Sequence, residues 1–312
     1  MLKRRVASAL DRLVGSAVAR RVEPSLDAVR LAVGVNESRL AQLLPEPARL
    51  RDTEFTVFSQ WGEDGIIQHL IRRTSPPETF VEIGVGDYTE SNTRFLVLKD
   101  NWRGAILNGG TAHQEMLVRT GMAWKYGVTA VSAFVTAENV DELIAGTGLT
   151  GDLGLLSVDI DGVDYWVLRA ITVVRPWIVV VEHNSVFGPD AAVTVPYDPA
   201  FVASEAHYTG QYFGASLSAF HHWARGAGYR LVGVGSSGVN AYFVRDDVAA
   251  DLWDLTPAEA YVRSRFRTAR DRTGALAYTG DDHQALLASM RDLPLHDLRA
   301  GEQRSVGAVF GP

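Results

Sequence analysis

The chain has 312 residues, 46% of them hydrophobic, and a formal net charge of −7. That length supports a sizeable core in one large domain or two small ones, and the acidic balance argues against nucleic acid, whose phosphates want a basic footprint. The sequence has no cysteine, so disulfides, thiolate catalysis and cysteine-ligated zinc or iron–sulfur centres are excluded. No apolar run approaches the roughly 20 residues that span a bilayer, and the N-terminus lacks a signal-peptide apolar region. A cytoplasmic protein is expected.

Residues 1–46 read as an N-terminal helical arm. Lys3, Arg4, Arg5, Arg12, Arg20 and Arg21 make its first part basic, and Val6, Leu10, Leu13, Val14 and Val18 recur at helical spacing. Leu26, Val29, Val33, Leu40 and Leu43-Leu44 extend the pattern. A basic amphipathic helix lies on an anionic membrane or docks on protein. The stripe has no aromatic anchor, which favours packing on its own domain or on a second subunit, and hence a homo-oligomer, over peripheral membrane contact. Pro45-Glu46-Pro47 marks the boundary. An α/β domain over 47–248 and a C-terminal helical extension over 249–312 are expected.

Phe58 to Asp64 precedes an apolar helix face at Ile66, Ile67, Leu70 and Ile71, which Pro76-Pro77 ends. Thr79-Phe80-Val81 then reads as a short buried strand leading into Glu82-Ile83-Gly84-Val85-Gly86-Asp87. Glycines there permit positive φ and close backbone approach to a ligand. The third glycine of a dinucleotide fingerprint is missing, since position 89 is Thr89. Ser91-Asn92-Thr93 opens a helix, and Asn101-Trp102-Arg103-Gly104 turns into a second strand, Ala105 to Leu107, which ends on Asn108-Gly109-Gly110. Val128 to Val135 reads as a third strand.

Leu155-Leu156-Ser157-Val158 and Ile178 to Val181 are apolar runs without polar alternation, as in strands covered on both faces of a parallel sheet. In such a sheet ligands sit beyond the carboxyl ends of the strands. Asp159, Asp161, Asp164, Glu182 and His183 would converge there. The plain alternative is an acidic strand-to-helix turn in which Asp164 caps a helix. The long stretch from Ser185 to Gly214 is rich in aromatic and polar groups, and Tyr197, His207, Tyr208 and Tyr212 are its candidate substrate contacts. Gly228 to Val234 and Asn240 to Arg245 read as a final hairpin-like pair. The tail, with Arg263, Arg265, Arg267, Arg270 and Arg272, reads as a solvated helix or a subunit contact.

Several of these motifs carry a resemblance. Asp159-Ile-Asp161-Gly162-Val-Asp164, with Val167-Leu168 after it, resembles the Asp-Val-Glu-Gly-x-Glu-x-x-Val-Leu signature of FkbM-type methyltransferases. Pro176 to Glu182, the Ser-Gln-x-Gly-Glu-Asp run at Ser59 to Asp64, Ser91-Asn92-Thr93 and the x-Trp-x-Gly at Asn101 to Gly104 are also similar to that family. The resemblance implies a doubly wound, mostly parallel seven-stranded sheet of the class I, Rossmann-like methyltransferase kind, with an antiparallel last strand. It implies S-adenosylmethionine as cofactor, bound by Glu82, Gly84, Gly86, Asp159 and the residue ending the second strand. That residue is usually an acid that accepts from the ribose. Here it is Asn108, whose amide oxygen still accepts but without the charge-assisted strength of a carboxylate.

The implied activity is O-methylation of a hydroxyl on a small molecule, sugar, glycan or natural product. Such transfer needs donor and acceptor held in line, and a base or metal to take the hydroxyl proton. Asp159, Asp161 and Glu182 offer hard oxygen ligands for Mg²⁺ or Mn²⁺, and His183 a base or a fourth ligand. Asp159, Asp161 and His183 are thus the candidate catalytic residues. The competing expectation, motivated by Asn108, is a metal-dependent lyase, epimerase or hydrolase that keeps the fold without the methyl donor.

Overall fold

The run Leu155-Leu156-Ser157-Val158 lacks polar alternation because both faces of its strand are covered. In the computed structural model, which describes residues 25–44, 48–249, 251–266 and 268–311, it lies inside a seven-stranded sheet. The strands are β1 (Thr79–Ile83), β2 (Arg103–Asn108), β3 (Val128–Ser132), β4 (Gly151–Val158) and β5 (Val174–Glu182). A short β6 (Val193–Thr194) stands apart, and β7 (Tyr229–Val234) and β8 (Asn240–Arg245) complete the sheet. The order is β3-β2-β1-β4-β5-β8-β7. β1 to β5 run parallel, and β8 runs antiparallel to both neighbours. This is the doubly wound sheet with the antiparallel last strand that the resemblance implies.

Alternate side chains of each strand enter different cores. Val81, Leu156 and Val179 join one apolar cluster, while Phe80, Leu155 and Ile178 join the other. The helices, in chain order, are α1 (25–40), α2 (Glu63–Thr74), α3 (Arg94–Asp100), α4 (Ala112–Thr120), α5 (Met122–Lys125) and α6 (Val140–Ala145). They continue as α7 (Asp164–Ala170), α8 (Ala203–Ala206), α9 (Leu217–Ala227), α10 (Pro257–Ala260), α11 (His283–Ser289) and α12 (Val306–Phe310). Ile66, Ile67 and Leu70 of α2, with Leu96 and Val97 of α3, cover one face. Val140 and Ile144 of α6, Val167 of α7 and Phe220 of α9 cover the other. Among the described residues no helix is long and apolar enough to cross a membrane.

The described part of the N-terminal arm is helical, as expected, and the C-terminal end differs from the expected outline. The basic first part of the arm, Lys3 to Val18 with Arg20 and Arg21, lies outside the described residues, as do Pro45-Glu46-Pro47 and Arg267. The described arm packs on the sheet domain through Leu31 and Gly34, and buried Ser38 donates to Gln68 at 3.3 Å. Arg94, buried, donates to Asp27 at 2.6 Å. Leu26, Val29, Val33, Leu40 and Leu43 face outward and are exposed.

The C-terminal stretch is not simply helical. Its described residues form the short helices α10, α11 and α12, together with β9 (Pro294–Asp297) and β10 (Glu302–Ser305). β9 pairs with β6, so this stretch folds back onto the long segment after β5. Arg263, Arg265, Arg270 and Arg272 lie on irregular chain, not on a solvated helix. The reason is tertiary. Tyr261 donates to the Ser185 carbonyl at 2.8 Å and Ser264 N to Ser185 Oγ at 3.1 Å, which draws the backbone across the strand ends.

Candidate functional site

β1 ends in a turn whose glycines have different duties. Gly84 (φ +91°) gives its N–H to Leu107, and a Cβ there would lie 1.4 Å from the Asp159 carbonyl oxygen. It is glycine so that the ends of β1 and β4 can touch. Gly86 (φ +55°) has nothing within 4 Å of its missing Cβ and faces a cavity. Glu82 does not line that cavity. Its carboxylate accepts from Ser91 Oγ (2.7 Å), Asn92 N (2.8 Å), Thr93 N (3.2 Å) and the Thr93 hydroxyl. The expected cofactor contact is therefore a positioning acid that ties the Ser-Asn-Thr turn to β1. Burial raises it above the usual carboxylate range, against those hydrogen bonds. Asn108, at the end of β2, does line the cavity.

The acidic turn after β4 is built around Asp164. Its buried carboxylate accepts from Ile160 N at 2.7 Å and Gly162 N at 2.9 Å, and burial pushes it up to about 6. Asp164 thus clasps the turn in front of α7, close to the plain structural reading. The clasp holds Asp161 at φ +51°, a left-handed conformation that Asp tolerates better than most residues. Asp159, Asp161 and Glu182 then offer carboxylate oxygens that all lie within 4.8 Å of one another.

Asp159 and Glu182 lie close enough for one proton to be shared between their carboxyls. Both are held well above the ordinary carboxylate range, first by burial and then by the neighbouring negative charges. Glu182 Oε2 is buried with no hydrogen-bond partner. Crowding by protein atoms also raises Asp161, although its carboxylate still meets solvent, which screens it. Such a set holds either a shared proton or a cation.

His183 follows Glu182 on the same strand end. Its Nδ1 lies 2.7 Å from the Val239 carbonyl, which can only accept, so Nδ1 carries the proton and Nε2 keeps a lone pair. Nε2 is buried and unpartnered, and His183 is among the residues that line the cavity. Burial lowers His183 to about 4. His183 does not join the group of oxygens that could hold an ion. Asn184 accepts from Val186 N at 3.0 Å and gives its amide protons to the carbonyls of Gln211 and Phe213, both at 3.0 Å. It staples the later loop to β5.

The Ser59 to Asp64 run is a clamp. Asp64 Oδ2 accepts from Val57 N (2.7 Å), Phe58 N (2.8 Å) and Ser59 N (2.8 Å), and Glu63 Oε2 from Trp61 N (2.7 Å) and Gly62 N (3.0 Å). These bonds hold Gln60 and Trp61 at the wall of the cavity, which encloses about 820 Å³.

Asp159, Asp161, Glu182, His183, Gly84, Gly86 and Asn108 are all brought to this cavity. Tyr197, His207, Tyr208 and Tyr212 are not among its lining residues. Tyr197 bonds Glu138 and receives Ala137 N at 3.1 Å, His207 bonds Thr209 at 2.8 Å and packs on Tyr208, and buried Tyr212 donates to the Pro294 carbonyl. Those rings are spent on packing the long segment. Its Phe201, Ser204, Gln211 and Phe213 face the cavity instead. Sequence reasoning missed the contribution of the C-terminal stretch, Ser264, Phe266 and His283. A histidine directly after Asp281-Asp282 was its one visible sign.

A search of curated proteins finds no match to this chain. Among solved structures, the O-methyltransferase TomG from Streptomyces achromogenes, involved in tomaymycin synthesis and in complex with SAM, is 19% identical. The match covers 69% of this chain and 96% of that chain, with a TM-score of 0.37. An O-methyltransferase from Bacillus cereus in complex with SAH is 14% identical over 70% of this chain and 91% of that one, with a TM-score of 0.38. The sequence model of the FkbM methyltransferase domain matches residues 30–231, about two thirds of the chain. This chain belongs to the FkbM methyltransferase family.

Proposed function

We propose that the chain is an S-adenosylmethionine-dependent O-methyltransferase that acts on a hydroxyl of a sugar, glycan or natural product. One observation carries the reading. A single cavity, within the range of small-molecule sites, holds the open Gly86 turn and Asn108 together with the Asp159, Asp161 and Glu182 carboxylates. The turn and the amide suit the donor, and the carboxylates suit an acceptor hydroxyl that must lose its proton.

Gly86, with open space where a Cβ would stand, lets backbone approach the cofactor, and Asn108 offers its amide to the ribose. The cofactor, when bound, supplies a methyl group on a positive sulfur. The proton is better taken by the Asp159–Glu182 pair than by His183. Burial and neighbouring charge raise those carboxylates well above their ordinary range, whereas burial lowers the imidazole to about 4, so the pair is the stronger base. His183 Nε2 then accepts a hydrogen bond and orients the hydroxyl.

A divalent cation fits the same oxygens, because Glu182 Oε2 is buried without a partner and hard oxygen donors suit Mg²⁺ or Mn²⁺. Held by Asp159, Asp161 and Glu182, it would lower the pKa of the acceptor hydroxyl. The competing expectation, a metal-dependent lyase, epimerase or hydrolase, is not favoured, because the methyltransferase domain match spans both the glycine turn and the acidic turn. Calorimetric titration with S-adenosylmethionine and its demethylated product tests the proposal. Binding of neither would overturn it.

A further inference from the structure

Helix α1 presents two faces, and the described residues cover only one of them. The inner face fixes the helix to the sheet domain. Leu31 packs on the Val57, Phe58 and Phe95 cluster, and Asp27 and Ser38 meet Arg94 and Gln68 at 2.6 and 3.3 Å. Gly34 lets the helix come close, since a Cβ there would lie 2.3 Å from Val57 Cγ2. The outer face carries an apolar row: Leu26, Val29, Val33 and Leu40, continued by Leu43 on the 3-10 turn Ala41–Leu43. These side chains are 50% to 79% exposed. With 3.6 residues per turn, positions 26, 29, 33 and 40 stand roughly opposite 27, 31, 34 and 38. Single exposed apolar residues need no account, but a contiguous row on one helix face marks an interaction surface.

The spacing of the row narrows what covers it. From Leu26 it steps by three and four residues in turn, through Val29, Val33, Asn36, Leu40 and Leu43. That alternation is the 3.5-residue period of a seam that packs against a second helix. A stripe that lies on an anionic membrane is flanked by lysine and arginine, whereas this one is flanked by both signs. Arg30 and Glu37 sit one heptad apart on the same side of the seam, with Ala32 and Arg39 on the other. Arg30 reaches Asp27 at 3.9 Å but is 59% exposed, and Glu37 is exposed too. In an antiparallel pair of identical helices, with Val33 of one copy against Asn36 of the other, each Arg30 stands beside the other copy's Glu37 and each Arg39 beside Ala32. In a parallel pair Arg30 would face Ser25 and Glu37 would face Ala32, so the charges would match nothing. The two Asn36 amides fall in adjacent central layers of the antiparallel pair, where a polar residue fixes the register at some cost in stability.

We propose that the outer face of α1 is the interface of a homodimer. The α1 helices of two copies pack antiparallel through Leu26, Val29, Val33, Leu40 and Leu43, and two Arg30–Glu37 pairs set their direction. Each inner face is already fixed to its own domain, so the helix pair lies between two sheet domains. Among the described residues, none of α1 lines the cavity at the strand ends. The dimer therefore stands independently of the methyltransferase reading.

The test uses the full chain in analytical ultracentrifugation over a range of micromolar concentrations, with melting followed by calorimetry. Wild type is expected to sediment at twice the mass of one chain, with a Tm that rises with protein concentration. The variant Val29→Glu/Leu40→Glu puts charge into the seam and should associate at least about a hundredfold more weakly, leaving a folded monomer. Arg30→Glu and Glu37→Arg each turn two attractive contacts into like-charge ones and should weaken the dimer roughly tenfold. Together they restore the pairing with its signs exchanged, so the double variant should return to within about threefold of wild type. A wild type that stays monomeric at high micromolar concentration, a dimer that survives Val29→Glu/Leu40→Glu, or charge reversals that do not rescue each other would each overturn the inference. A monomeric wild type that Val29→Glu/Leu40→Glu destabilises would assign the row to residues 1–24 of the same chain. One that binds anionic phospholipid vesicles, and loses them in that variant, would assign it to a membrane surface. Both results overturn the dimer.

Discussion

Replacing Glu182 by Gln probes the acidic cluster where it is most crowded. Glu182 is half-buried beside Asp159, and its Oε2 is buried with no partner. Two adjoining buried carboxyls cannot both ionise cheaply, so the ion-free fold at pH 8 bears a cost of at least one misplaced proton or charge. Each unit of raised pKa corresponds to about 1.36 kcal/mol. Glu182→Gln removes that ionisation and keeps a hydrogen-bond donor for Asp159, so the ion-free variant should be as stable as wild type or more so.

At about 2.1 cal/mol/K per residue, a chain of 312 residues moves its Tm by about 1.5 °C per kcal/mol. A divalent ion at a hundredfold excess over its Kd stabilises by about 2.7 kcal/mol, or about 4 °C in wild type. Glu182→Gln should lose most of that gain, and so should Asp161→Asn, where Asn tolerates the left-handed backbone at φ +51°. Differential scanning calorimetry at pH 8, with EDTA and then with each ion, gives all the numbers. A wild-type Tm indifferent to Mg²⁺, Mn²⁺, Ca²⁺ and Zn²⁺ would remove the metal. A Glu182→Gln variant that melts well below wild type in EDTA would make the carboxyl a structural bond and refute the reasoning.

Asn108→Asp should tighten S-adenosylmethionine by about 1 kcal/mol, as a neutral hydrogen bond becomes charge-assisted; weaker binding in a titration would show that the amide serves another group. Gly84→Ala should fail to fold or lose several kcal/mol, because its Cβ would collide with the Asp159 carbonyl oxygen. Gly86→Ala should cost only about 1–2 kcal/mol for its positive φ yet weaken the donor, and equal melting and binding losses in the two variants would contradict the division of labour drawn here. Asp164, raised to about 6 by burial, binds its proton more tightly folded than unfolded. Its destabilising contribution, about 3 kcal/mol, is full above pH 6, shrinks as pH falls through 6 to 4, and vanishes below the unfolded value near 3.8. Urea melts of ion-free wild type should therefore gain on Asp164→Asn as pH falls from 7 to 4, and parallel pH profiles would refute this.

The sheet was legible because a strand covered on both faces leaves an unbroken apolar run, as at Leu155 to Val158 and Ile178 to Val181. Once those runs were placed, their polar ends had to share one edge, so the meeting of Asp159, Asp161, Glu182 and His183 at one cavity followed from chain order. What each polar group does there did not follow. Glu82 and Asp164 look like site acids in sequence, yet nearby hydroxyls and backbone N–H groups occupy their oxygens. Tyr197 and Tyr212 look like substrate rings, yet their hydroxyls bond Glu138 and the Pro294 carbonyl, far off in sequence. His283 lies 100 residues beyond His183, and long-range bonds, among them those from Tyr261 and Ser264 to Ser185, bring its segment to the same cavity. Local periodicity records which faces are buried. Which oxygen is already taken, and which nitrogen is left unpaired, is decided by contacts between segments that no local pattern encodes.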